Sequence, residues 1–270
     1  MLAIKDAAIG VFDSGVGGLT VVKALRARLP HEQLVYLGDT ARIPYGTRSP
    51  ATVERYAIQV TRFLETMGIK MLVIACNTAS ALALSRLKEE SPVPVIGVIQ
   101  PGAKQAVRAT RSGNIGVIAT EATVGSGAYE RTIRVYRSDA RVTSRSCPLF
   151  VALAEEGWSE HAEATALVAR KYLGPLREAG VDTLVLGCTH YPILRPVIAD
   201  VMGPGVRLID SGDAVADEVA TALAERGLLR DSDEAPPLRF YVTDAAERFR
   251  RVAELFLGGP IDDVRAVDVR

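Results

Sequence analysis

Short, fully apolar runs alternate along this chain with longer stretches whose apolar residues recur every three or four positions, the signature of buried strands alternating with amphipathic helices. Ile9-Gly10-Val11-Phe12 predicts a buried strand ending in Asp13-Ser14. Gly15, Gly17 and Gly18 then open a helix with Leu19, Val22, Leu25 and Leu29 at helical spacing, and Pro30 stops it. Residues 34–37 predict a second strand, ending in Gly38-Asp39. Pro44-Tyr45-Gly46 reads as a turn, and Ser49-Pro50 as a helix start with proline at the first position. Val53, Tyr56, Ala57, Val60, Phe63, Leu64 and Met67 give that helix an apolar face, and Gly68 ends it. A third strand over 71–74 runs into Ala75-Cys76-Asn77-Thr78, followed by a helix carrying Leu82 and Leu87 and a fourth strand over 93–98.

After a helix around 102–110 the pattern restarts. Asn114-Ile115-Gly116-Val117-Ile118-Ala119-Thr120 resembles the opening Ile9-Gly10-Val11-Phe12-Asp13-Ser14. A weaker strand is expected near 141–146, a long helical stretch over about 149–179, and a strand over 183–187 running into Gly187-Cys188-Thr189-His190. Gly10 precedes Cys76 by 66 positions (76 − 10), and Gly116 precedes Cys188 by 72 (188 − 116). Strand order and thiol position repeat together. The expected fold is therefore α/β: two similar α/β domains with mainly parallel sheets, pseudo-twofold related, and an active site in the cleft between them. A strand over 206–209, a helix over 211–226, a Pro236-Pro237 break, a strand over 239–242 and a helix over 245–257 complete the chain. The tail is expected to return to the first domain, giving 1–98 plus about 211–270 as one domain and 99–210 as the other.

Composition narrows the function classes. The 270 residues carry 32 basic and 32 acidic side chains, a formal charge of zero, which argues against a broad phosphate-binding surface and direct nucleic-acid binding. No apolar run approaches the roughly 20 residues of a membrane span, and nothing resembles a secretory leader. The cysteines are Cys76, Cys147 and Cys188, without a C-x-x-C, and His31, His161 and His190 do not cluster with them. Metal ligation needs closer groupings. Few cysteines and no leader point to a reducing cytoplasm, where two free thiols are expected rather than a Cys76–Cys188 disulfide.

The strand ends hold the candidate chemistry. Gly15-Val16-Gly17-Gly18 lacks the third glycine of a dinucleotide loop, since Thr20 stands there, and has no Gly-Lys-Ser/Thr of a phosphate loop. It reads as a tight turn, or as a close backbone approach to a small anionic substrate. Asp13 and Asp39 both end strands and project toward one crevice, although each could merely cap a helix. Asn77 and Thr78 carry the same ambiguity. Cys147, before Pro148, reads as a small core residue. His190 stands where it can act as proton acceptor for Cys188. Glu155 and Glu156 end a helical stretch, and at least one is expected in solvent. A helix start beside each strand-end thiol is expected to lower its pKa. One thiol with histidine suits acyl transfer. Two thiols on opposite sides of a substrate carbon suit proton removal from one face and delivery to the other, which is racemisation or epimerisation without a cofactor.

At these residues the chain resembles the glutamate racemases of the aspartate/glutamate racemase superfamily. The resemblance lies in Gly10-Val11-Phe12-Asp13-Ser14-Gly15-Val16-Gly17-Gly18-Leu19-Thr20, Gly38-Asp39-Thr40 with Pro44-Tyr45-Gly46, Ala75-Cys76-Asn77-Thr78-Ala79, Pro148-Leu149-Phe150 leading into Glu155-Glu156-Gly157, and Gly187-Cys188-Thr189-His190-Tyr191-Pro192. It implies interconversion of L-glutamate and D-glutamate without pyridoxal phosphate or metal, supplying D-glutamate for peptidoglycan. It assigns Cys76 and Cys188 as the acid/base residues, the first taking the α-proton of the D-isomer and the second that of the L-isomer. Asp13 and His190 would assist the thiols, with Asp39 and Glu155 as further polar contributors and Glu156 competing for the last place. Substrate contacts would come from Asp13, Ser14, Tyr45, Gly46, Asn77, Thr78, Thr189 and His190. A homodimer is implied. Pro192 and Pro196 predict a late or irregular helix after Cys188. The competing readings are an aspartate racemase, a cysteine hydrolase needing only one thiol, and a binding protein that keeps the fold and acts on a partner such as DNA gyrase, as some family members do.

Overall fold

The computed structural model describes residues 4–158, 163–261 and 263–269. Among them ten strands form two all-parallel sheets: β1 (Ile9–Asp13), β2 (Leu34–Gly38), β3 (Met71–Ile74), β4 (Val95–Gly97), β5 (Asn114–Ala119), β6 (Arg141–Ser146), β7 (Thr183–Gly187), β8 (Arg207–Asp210), β9 (Arg239–Val242) and β10 (Val264–Ala266). The first sheet runs β10-β9-β2-β1-β3-β4 and the second β6-β5-β7-β8. Without the tail strands the first reads β2-β1-β3-β4, the same order as the second. In each sheet the Ile-Gly-Val strand is central and the thiol strand pairs beside it: Gly10 lies opposite Leu72 and Gly116 opposite Leu184.

The repeated glycine has one physical cause in both halves. A Cβ on Gly10 would come within 2.9 Å of Ile69 Cδ1, and one on Gly116 within 2.9 Å of Leu184 Cδ1. Both positions lie under crowded aliphatic side chains. Strands β1, β2, β3 and β7 are buried at every residue, as parallel strands covered on both faces must be. Helices supply the cover. Leu19–Arg28 packs against Ser211–Glu225 on one side of the first sheet, and Pro50–Thr66 covers the other. Ser49 accepts a hydrogen bond from Thr52 N at the start of Pro50–Thr66, with Pro50 at its first position. One buried apolar cluster runs from β1 through Cys147, Phe150 and Cys188 to the helix Arg195–Met202, so the two halves share a core on that side.

The elements depart from the periodicity where local chemistry intervenes. The fourth strand shortens to 95–97, and the next helix starts at Ile99 rather than 102, because Pro101 falls in its first turn, where no amide is needed. The stretch expected as one helix over 149–179 is broken. Leu149–Glu155 ends at Gly157, whose φ of +70° and the bonds Gly157 N to Ala154 O and Trp158 N to Leu153 O form a left-handed C-cap. A second helix covers Glu163–Glu178, and residues 159–162, His161 among them, lie outside the described residues. After Cys188 a 3₁₀ turn, Tyr191–Leu194, precedes the α-helix Arg195–Met202, the irregular start that Pro192 and Pro196 predict. Two helices escaped the periodicity, Glu121–Gly125 and Ala128–Tyr136, separated by Gly127 at φ +65°. In the tail, β9 pairs with β2 and β10 with β9, extending the first sheet.

Candidate active site

Parallel sheets expose their carboxyl ends together, and ligands bind there. Strand β1 ends at Asp13, β3 leads to Cys76, β5 to Thr120, and β7 to Cys188-Thr189-His190. A cavity of about 330 Å³ lies between these ends, lined by both thiols and by Ser14, Tyr45, Gly46, Asn77, Thr78, Thr120, Glu155, Thr189 and His190. Cys76 and Cys188 are buried and unbridged.

The two thiols have different surroundings. Cys76 caps the helix Asn77–Leu82, where Ala79 N–H donates to Sγ at 3.5 Å, and the Ser14 hydroxyl lies 3.6 Å away. The helix start does not lower its pKa as expected. Burial and then the nearby Asp13 charge push the thiol up to about 12, outweighing those two hydrogen bonds. The helix is only six residues long, and one long N–H···S contact offsets little desolvation. Cys188 lies 3.8 Å from His190 Nδ1, and His190 Nε2 lies 3.1 Å from Glu155 Oε1. Burial alone would lower the imidazole pKa, but its bonds to Cys188 and Glu155 and their charges raise it to about 10. The pair of partners thus favours the protonated ring. Glu155 sits opposite: burial raises its pKa, while His190 and Arg248 together hold it below the usual range. Glu155 lines the cavity and meets His190, whereas Glu156 lies on the outer surface.

Two predicted residues stand outside the cavity lining. Asp13 is fully buried beneath it, accepting from Gly15 N at 2.9 Å and from Thr189 Oγ1 at 3.4 Å. Burial raises its pKa despite the His190 charge and these bonds. Asp39 is engaged elsewhere: Arg42 Nε donates to both its oxygens, the Tyr45 hydroxyl donates to Oδ2, and Thr243 Oγ1 donates to Oδ1 at 2.9 Å. It anchors Tyr45 and the tail rather than facing the cavity. Cys147 is a core residue, buried and pushed up to about 12 by burial.

The glycine loop acquires a specific role. A Cβ on Gly17 would come within 2.3 Å of Thr189 Oγ1 and 2.5 Å of His190 Nδ1. The first half's loop thus lies against the second half's Cys188-Thr189-His190 turn, and Thr20 Oγ1 donates to Thr189 O at 3.1 Å. Thr120 is a cavity residue not anticipated from the sequence. Its hydroxyl joins those of Thr78 and Thr123 at 2.9 Å each. The signal was present, since aligning the repeated strands sets Thr120 where Ser14 stands.

This geometry meets its relatives in sequence. The Asp/Glu/Hydantoin racemase family model matches residues 19–219. A glutamate racemase of Geobacter metallireducens is 52% identical over 262 residues, covering 97% of each chain. The chain belongs to the Asp/Glu racemase family, among its glutamate racemases. Solved structures of that group agree in fold. A glutamate racemase isoform from Bacillus anthracis superposes with a TM-score of 0.93 at 40% identity, covering 98% of both chains. The glutamate racemase of Francisella tularensis, determined in complex with D-glutamate, gives 0.92 at 41% identity and the same coverage.

Proposed function

We propose that this protein interconverts L-glutamate and D-glutamate by direct proton transfer between the substrate α-carbon and two thiols, without a cofactor, supplying D-glutamate for peptidoglycan. The observation that carries the reading is one: Cys76 and Cys188 follow equivalent strands of two repeated halves and line one cavity. With the α-carbon between them, one sulfur as thiolate removes the proton from one face while the other, as thiol, returns a proton to the opposite face. Burial and the Asp13 charge favour the protonated form of Cys76, which suits it to donate its proton. In the reverse direction Cys76 is the thiolate base and Cys188 the thiol that donates. His190 stands beside Cys188, with the Glu155 carboxylate behind it to favour its protonated form.

The hydroxyls of Ser14, Thr78 and Thr189 and the Tyr45-Gly46 segment are assigned to the substrate carboxylates. Asn77 Nδ2 joins them as a donor: it is buried and has no partner among the described residues, while Tyr129 donates to Oδ1 of the same amide at 2.7 Å. Asp13 is assigned to orienting Gly15 and Thr189, and Asp39 to holding Tyr45. Residues 1–98 with about 211–270, and 99–210, are proposed as the two domains, with the site in the cleft between them. A cytoplasmic homodimer completes the proposal.

The test compares Cys76→Ala and Cys188→Ala with the unaltered protein. Each variant should lose at least about 10³-fold in racemisation while remaining folded. Near-full activity in either one rejects the two-thiol scheme, and faster turnover of aspartate than glutamate rejects the substrate.

A further inference from the structure

The helix Ala246–Leu257 follows β9 in the tail, distant in sequence from both thiols, yet it holds the His190–Glu155 pair from two sides. Arg248 Nη2 donates to Glu155 Oε2 at 3.0 Å, while Oε1 of the same carboxylate faces His190 Nε2 at 3.1 Å. Buried Phe256 sets its ring against the imidazole, with centroids 5.5 Å apart and planes at 85°. The start of the helix is pinned in turn. Thr243 Oγ1 donates to Asp39 Oδ1 at 2.9 Å, and Asp244 N donates to Thr40 Oγ1 at 2.9 Å. Ala245, next in line, takes a φ of +52°, a conformation few side-chain-bearing residues adopt. Asp39, off the cavity, thus anchors the start of the helix that touches Glu155 and His190.

A carboxylate with one oxygen toward histidine and the other on arginine cannot turn without losing one of them. With the arginine present, Glu155 stays ionised and accepts from His190 Nε2–H, which aims Nδ1 at Cys188. We propose that Arg248 is a positioning residue for the racemisation, fixing Glu155, and through it His190, beside Cys188. The inference rests on the racemase reading given above. Among the described residues, Asp13 faces His190 from the end of β1, and Glu156, Arg251 and Glu254 share the outer surface with Arg248. Arg248 is 56% exposed, so added salt should weaken its hold.

The test uses the full chain with Arg248→Gln, Arg248→Lys and Glu155→Gln. The Glu155 carboxyl carbon is followed by ¹³C NMR, its resonance assigned by its absence in Glu155→Gln, and racemisation is assayed beside it. In Arg248→Gln the Glu155 titration should move to higher pH, and kcat should fall about tenfold with KM within about twofold. Arg248→Lys should recover most of both effects. Combined with Glu155→Gln, Arg248→Gln should add nothing further. A titration that stays in place, a kcat within about twofold of the unaltered protein, or additive losses in the double variant each overturn the inference. An unaltered protein that racemises nothing would count against the racemase reading, and the carboxyl titration would then decide the pairing alone.

Discussion

Gly17 is the residue where sequence, packing and chemistry meet. Its hydrogen is the only side group that fits, because a Cβ would fall 2.3 Å from Thr189 Oγ1. Gly17→Ala should displace the Thr189-His190 turn and lower kcat by about 10-fold or more, the scale expected when catalytic groups shift by an ångström. Unchanged kinetics in folded Gly17→Ala would show that the loop yields freely. Thr120 makes a different prediction. Thr120→Val keeps the shape, removes the hydroxyl shared with Thr78 and Thr123, and leaves their hydrogen bonds incomplete. An increase in KM of about 5- to 30-fold is expected, corresponding to about 1–2 kcal/mol for a lost buried hydrogen bond. Steady-state kinetics on either enantiomer will serve. The equilibrium constant between enantiomers is one, so kcat/KM must fall equally in both directions.

At the scale of elements, the alternation of apolar runs with helical periodicity is enough to read the two-sheet α/β architecture. The strand cores are so uniformly buried that their sequences admit little else. The repeated Ile-Gly-Val is legible because the same crowding acts at Gly10 and Gly116. What the pattern conceals is decided by single residues or by partners distant in the chain. The break at Gly157 depends on one left-handed φ inside an apolar helical rhythm. Asp39 reads as a crevice residue until the tail, through Thr243, takes up one of its oxygens. The expected lowering of the Cys76 pKa fails because burial, invisible in a linear sequence, outweighs a short helix. Gly157→Ala tests the cap. It should lower stability by about 1 kcal/mol, measured by denaturant unfolding, because alanine resists the left-handed region. An unchanged midpoint would mean that the chain there relaxes without cost.

At the scale of the molecule, the buried His190–Cys188–Glu155 cluster links folding to pH. The imidazole pKa is raised in the folded state from 6.5 to about 10. Its contribution to stability is therefore fully present below the unfolded pKa and is lost as pH rises through the folded one. Stability should decline from about pH 6.5 toward pH 10 in the unaltered protein, and His190→Asn should flatten that slope. Urea unfolding across this window checks it. An equal slope in both proteins would remove His190 from the linkage.

The most direct measurement incubates L-glutamate with the purified protein in deuterated water, without added cofactor, and follows circular dichroism and the α-proton NMR signal together. Two-thiol racemisation predicts that optical activity decays to zero while deuterium enters the α-carbon. Optical activity that persists with no deuterium uptake, in folded protein, would contradict it.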